Sequence, residues 1–143
     1  MTTIAQRRTP QTQVELRFAY QLATQRDDDT CQRCRRYCGG VQRHHRQPRD
    51  KFNTTPANLI LLGLKCHQYV TEHPEEAIRE GWAMPRYTEL TPEEWPARRW
   101  LTTHLGTMRL SWVLLFNEAQ GGRLWLPITD VEAVYRQHKG GLA

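Results

Sequence analysis

The first constraints come from what this sequence lacks. In 143 residues no apolar run approaches the ~18 residues that a helical membrane span requires. Met1 to Pro10 is polar and basic and no apolar stretch follows it, so nothing there looks like the hydrophobic segment of a secretory leader. The expectation is a soluble, intracellular protein whose thiols stay reduced. Cysteine is scarce, with four residues in all, and every one falls between Cys31 and Cys66. In a reducing setting two disulfides are the lesser alternative and a bound metal the greater. Carboxylates are thin in the same region: between Cys31 and Lys51 only Asp50 opposes Arg33, Arg35, Arg36, Arg43, Arg46, Arg49 and Lys51.

What is present converges on that region. A chain of this length makes one domain with a modest core, for which a structural metal is a natural staple. Cys31 and Cys34 are two residues apart, the spacing of a zinc knuckle. Cys38 follows, then Gly39-Gly40, then His44-His45-Arg46, and the span closes with Cys66-His67. The net charge of +5 and pI near 9.3 suit a nucleic-acid binder. Arginine, the dominant cation, matches phosphate bidentately.

Along the chain, residues 1–11 form a basic arm. Val14, Phe18 and Leu22, with Ala19 and Ala23 beside them, predict one apolar face of a helix that ends near Asp27-Asp28-Asp29, a turn with no chemistry of its own. Gly40 to His45 reads as a short strand, on which neighbouring side chains face opposite ways. His44 and His45 therefore divide the labour, one as ligand and the other as base. A polar loop, Lys51 to Ala57, leads to an apolar strand from Asn58 to Leu62, which pairs back on the first. Gly63 breaks it, and a helix begins near Cys66-His67. Strand, loop, strand and helix make a compact unit able to hold a cation between His44 and His67.

Farther on, Thr91-Pro92-Glu93-Glu94 predicts a capped short helix. Leu110 to Phe116 and Arg123 to Leu126 predict a β-hairpin around Gly121-Gly122. Thr129-Asp130-Val131-Glu132 opens a last helix that Gly140-Gly141 ends. Trp95, Trp100, Trp112 and Trp125 are expected in the core of this part.

The order Cys-x-x-Cys, His-His-Arg, an Asn opening an apolar strand, and Cys-His entering a closing helix resembles the HNH endonuclease family, with its ββα-metal fold, over about Cys31 to Trp82. The zinc-stapled form common in bacteriophages and actinobacteria is the most similar. The resemblance implies an α+β fold in three parts: an arm and helix over 1–30, the HNH core with structural zinc over 31–82, and a β-hairpin and helix extension over 83–143.

It also implies roles. His44 and His67 hold a catalytic divalent cation (Mg2+, Mn2+, Ni2+ or Zn2+), and His45 is the general base. Asn58 pins the loop and so orients His45. Arg43, Arg46 and Arg49 are candidates to hold DNA phosphates. Such a cation keeps open positions for phosphate and leaving oxygen, and imidazole titrates in the right range for the base.

One departure stands out. Gly63 occupies the place of the first cysteine in the Cys-x-x-Cys-His that usually enters the closing helix. Cys31, Cys34 and Cys66 then need a fourth zinc ligand, either Cys38 or His73. The expected activity is hydrolysis of DNA phosphodiesters in the cytoplasm of a bacterial host, with a phage terminase as a candidate partner in genome packaging. The alternatives are a zinc-stapled DNA-binding or packaging accessory protein with an idle centre, or a toxin nuclease.

Overall fold

The computed structural model describes residues 9–142, so Arg7 and Arg8 of the expected basic arm lie outside the described residues. The fold is mixed α+β, with two small antiparallel sheets and helices packed around them. No helix among the described residues is long and apolar enough to cross a membrane.

Helix α1 (Gln13–Arg26) begins at a capping box, in which the Thr12 hydroxyl accepts from the Glu15 amide and the Glu15 carboxylate accepts from the Thr12 amide. Its buried face differs from the expected one. Val14 and Phe18 are 72% and 54% exposed, whereas Ala19 and Ala23 of the expected face do turn inward, joined by Arg26. The two alanines let the helix approach Leu59 and Leu61 closely, a contact that the longer apolar side chains would hold apart.

The first sheet pairs β1 (Val41–His45) with β2 (Leu59–Gly63), in a register that sets His44 opposite Ile60 and His45 opposite Leu59. A 3-10 turn, Pro56–Asn58, precedes β2, and α2 (Leu64–Glu72) follows it without a linker. β2 is buried on both faces. Leu59 and Leu61 pack on α1, while Ile60 and Leu62 pack with Cys31, Cys66, Val70, Ala77 and Trp82. Fully burying each such side chain contributes roughly 1.5–3 kcal/mol, so this short strand is the hub of the core.

Two elements are absent from the sequence-based expectation. Helix α3 (Pro74–Glu80) closes over the hub with Ala77 and ends at Gly81, whose φ of +90° is left-handed. Strand β3 (Ala97–Thr102) is the other, and it makes the expected hairpin a three-stranded sheet ordered β3-β4-β5. β4 (Met108–Gln120) and β5 (Arg123–Ile128) are longer than expected and meet at Gly121-Gly122. The short helix expected at Thr91 is a single turn. Glu94 and Trp95 donate back to the Thr91 carbonyl, and Pro96, lacking an N–H, allows no second turn. Helix α4 (Asp130–Lys139) is capped by the Thr129 hydroxyl as expected. Trp95 and Trp112 are buried, whereas Trp100 and Trp125 are half-buried.

Buried charge ties the parts together. Asp27, read from the sequence as a plain turn residue, is 1% exposed. Its carboxylate accepts from Arg26 Nε at 2.8 Å, from Arg99 Nη1 at 2.7 Å and from the Leu61 amide at 3.1 Å. The end of α1, the middle of β2 and strand β3 thus share one anion.

Candidate functional site

Two clusters of side chains lie where α2 meets the β1–β2 hairpin, and the first is made of thiols. The knuckle is tied to β2 by the Gln32 amide, which donates to the Leu61 carbonyl at 2.9 Å, and it turns through Arg35, whose φ of +61° is left-handed. Cys38 lies next to the start of α2, where the Lys65 amide donates to its carbonyl at 3.0 Å. Cys66 sits in the first turn of α2.

The four sulfurs of Cys31, Cys34, Cys38 and Cys66 all lie within 4.8 Å of one another. In a tetrahedral site with ~2.3 Å bonds the sulfurs stand ~3.8 Å apart, so the group needs only slight contraction to hold a metal ion such as zinc. The other fourth-ligand candidate, His73, is exposed at the end of α2, stacked on Tyr69 with its Nδ1 3.0 Å from the Tyr69 carbonyl. Gly63 has a physical reason to be glycine: a Cβ there would overlap the Cys38 sulfur. Cys38 fills the space that a side chain at 63 would need.

The thiols resist ionising together. Burial and the neighbouring thiols push Cys66 up to about 12. Burial works against ionisation of Cys31 as well, but amides of Cys34, Gly63 and Arg33 outweigh it and bring that thiol down to about 7. Arg33 adds a donor, its Nη1 standing 3.6 Å from the Cys66 sulfur. Donors aimed at sulfur are what a metal-bound thiolate takes from its surroundings.

The second cluster is made of imidazoles. His44 on β1 and His67 on α2 bring their ring centroids to 5.2 Å, edge to face at 65°. His44 Nε2 stands 3.1 Å from the Trp82 carbonyl. A carbonyl only accepts, so Nε2 carries the proton and Nδ1 keeps its lone pair. Burial, with the nearby His67, pushes the His44 pKa down to about 3, and burial also lowers that of His67. Both rings are then neutral at pH 7, the form that binds a cation. Among the described residues no third His, Cys, Asp or Glu joins these two.

His45 is half-buried, and its Nε2 lies 2.9 Å from the Thr54 hydroxyl. Its pKa is lowered first by burial and then by the Arg49 charge, against Asp50, so the ring is neutral and able to accept a proton. Asn58, fully buried, accepts from the Gln47 amide at 2.7 Å and donates to the carbonyls of Gln47 and Asn53 at 3.2 and 2.9 Å. Its side chain therefore fastens both ends of the loop between β1 and β2. The direct partner of His45 is Thr54, which sequence reasoning missed. Gln11 brackets the Thr54 backbone with two 2.8 Å bonds, and a threonine in a polar loop carries no pattern that would single it out.

The three arginines expected at phosphates part company. Arg43 is exposed, bonded to the Thr24 hydroxyl at 3.0 Å and lying over the Tyr20 ring. Arg49 is exposed on the loop beside His45. The expectation for Arg46 is corrected: it is 1% exposed and so has no face to offer a phosphate. Its Nη1 donates to the carbonyls of Ala57 (2.7 Å) and Pro92 (3.0 Å), and its Nη2 to those of Trp95 (2.7 Å) and Pro96 (3.0 Å). Burial pushes its pKa down to about 9, which still leaves it charged at neutral pH. It is a strut between the hairpin and the segment before β3.

Compared with protein-family models, curated proteins and solved structures, the chain matches none of them.

Proposed function

We propose that this protein is a metal-dependent DNA endonuclease of the HNH type, with the β1–β2 hairpin and α2 as its ββα core and the four cysteines as a structural zinc site. The observation that carries this reading is the meeting of His44 and His67 across β1 and α2, 5.2 Å between ring centroids, with His45 next to His44 along β1. His44 Nδ1 and the His67 ring would hold a divalent cation, which when bound supplies Lewis-acid stabilisation of charge on the phosphate and the leaving oxygen.

The chain's own residues account for the rest. His45, neutral at pH 7, accepts the proton of the attacking water. Thr54 fixes the ring of His45 through Nε2, and Asn58 fixes the loop that carries Thr54. Arg43 and Arg49 stand exposed near the histidines to meet backbone phosphates.

The absence of a third candidate ligand beside His44 and His67 among the described residues favours a second reading, a zinc-stapled DNA-binding protein with an idle centre. A plasmid-nicking assay across magnesium, manganese, nickel and zinc separates the two. The nuclease reading expects wild type to nick, and His45→Ala to lose on the order of 10²–10⁴ in rate, the share a general base supplies, with DNA binding retained. Nicking by His45→Ala at the wild-type rate refutes the role given to His45. No nicking by wild type with any of the metals leaves the second reading.

A further inference from the structure

We propose that the groove between α3 and the three-stranded sheet is a second phosphate site, which holds the backbone of the DNA beside the stretch being cut. This rests on the nuclease reading above and adds to it residues outside the histidine cluster. The open groove has a volume of about 490 Å³ and is lined by Arg33, Arg79, Glu80, Trp82, Arg98 and Leu110. Three guanidiniums face one carboxylate, and that carboxylate is already engaged. Glu80 accepts from the Tyr69 hydroxyl at 2.9 Å and lies 3.9 Å from Arg33 Nε. Arg33 in turn lies over the Tyr69 ring at 3.9 Å.

Arg79 and Arg98 remain. The side chain of neither makes a hydrogen bond or close ion pair among the described residues; the Asp130 and Glu80 carboxylates act on Arg98 only from beyond ion-pair distance, and its Nε is buried without an acceptor. A dry guanidinium donor left unpaired is costly. Arg98 is nonetheless held in place, with its guanidinium 4.3 Å from the Trp112 ring centre. Gly81 makes this possible, because a Cβ there would stand 2.5 Å from Arg98 Cγ and 2.6 Å from Trp112 Cζ3. A preorganised, unpaired arginine beside a second free one is what a phosphate group selects.

The groove also adjoins the histidine cluster. Trp82, which lines it, gives its carbonyl to His44. Tyr69, which positions Arg33 and Glu80, follows His67 on α2 by two residues. A strand running past the histidines can therefore continue over Arg79 and Arg98.

The test is equilibrium binding of a fluorescent duplex to the full, zinc-loaded chain across a salt series, for wild type, Arg79→Glu, Arg98→Gln and Arg98→Lys. Each loss of a phosphate contact should raise Kd several-fold and make the log Kd against log salt slope shallower by about 1, with Arg98→Lys intermediate. Arg79 is exposed, so Arg79→Glu stays folded, and an unchanged slope in that variant overturns the proposal.

A second arm asks whether the groove takes small phosphates. If millimolar inorganic phosphate raises the wild-type Tm but not that of Arg98→Gln, while the DNA slope is the same in both, the groove serves free phosphate and the DNA assignment fails. The nuclease reading fails separately. Wild type that binds DNA with an arginine-dependent slope yet never nicks loses the nuclease and keeps the groove. Wild type that nicks, with a slope that Arg79→Glu does not change, does the reverse.

Discussion

Arg46 and Arg49 stand three positions apart in one basic stretch, and the fold buries the first and exposes the second, so under the proposed nuclease reading a single pair of variants separates them. In Arg46→Ala four carbonyls, those of Ala57, Pro92, Trp95 and Pro96, lose a charged donor at 2.7–3.0 Å. Hydrogen bonds to charged groups contribute about 1.5–3 kcal/mol each, so the gross loss is about 6–12 kcal/mol. Against this stands relief from burying a cation, which costs several kcal/mol.

The net expectation is a destabilisation of about 3–5 kcal/mol, in line with truncation of a large buried side chain. At this chain size that lowers Tm by about 10 °C. Arg49→Ala, at an exposed position, should change stability by less than about 0.5 kcal/mol, yet make the salt dependence of DNA binding shallower by about 1. Urea melts and duplex-binding titrations of both zinc-loaded variants make the comparison. If Arg46→Ala melts like wild type and binds DNA with a shallower slope, Arg46 faces the nucleic acid and its assignment as a strut is wrong.

Two further expectations concern the staples. Zinc release to a chromogenic chelator should show Cys38→Ser binding zinc about 100-fold more weakly, since a four-ligand structural site contributes about 10–16 kcal/mol in all. His73→Ala should hold zinc like wild type, and the opposite order would return His73 to the site. Asp27→Asn should cost about 3–5 kcal/mol, because it leaves Arg26 and Arg99 without their shared anion. Burial alone would raise the Asp27 pKa, but Arg26, Arg99 and the Leu61 amide prevail and hold it below the usual carboxylate range. The stabilisation is therefore complete above the ~3.9 of an unfolded aspartate and fades as pH falls through the lower folded value. In urea melts the gap between wild type and Asp27→Asn should stay constant near neutrality and close in acid. A gap that instead widened in acid would contradict this assignment.

The sequence by itself determined whatever depends on residues close together in the chain. The two-residue gap from Cys31 to Cys34 is a knuckle, the stretches Gly40 to His45 and Asn58 to Leu62 read as a hairpin within a residue of the strands that form, and Thr129 caps the helix it precedes. Alternation on a strand also sent His44 and His45 toward different partners.

Only the tertiary structure decided what depends on distant partners. Arg46 is buried because carbonyls eleven to fifty positions away converge on it, and nothing beside it in the sequence distinguishes it from Arg49. Asp27 became an anchor because Arg99 reaches back across seventy-two positions, and Thr54 met His45 because the loop folds over it. α1 turned its alanines inward because β2 offered a surface that only small side chains could approach. Patterns along a chain report which residues are apolar or charged, but a charge's role is set by the acceptors around it, and those assemble only when the chain has folded.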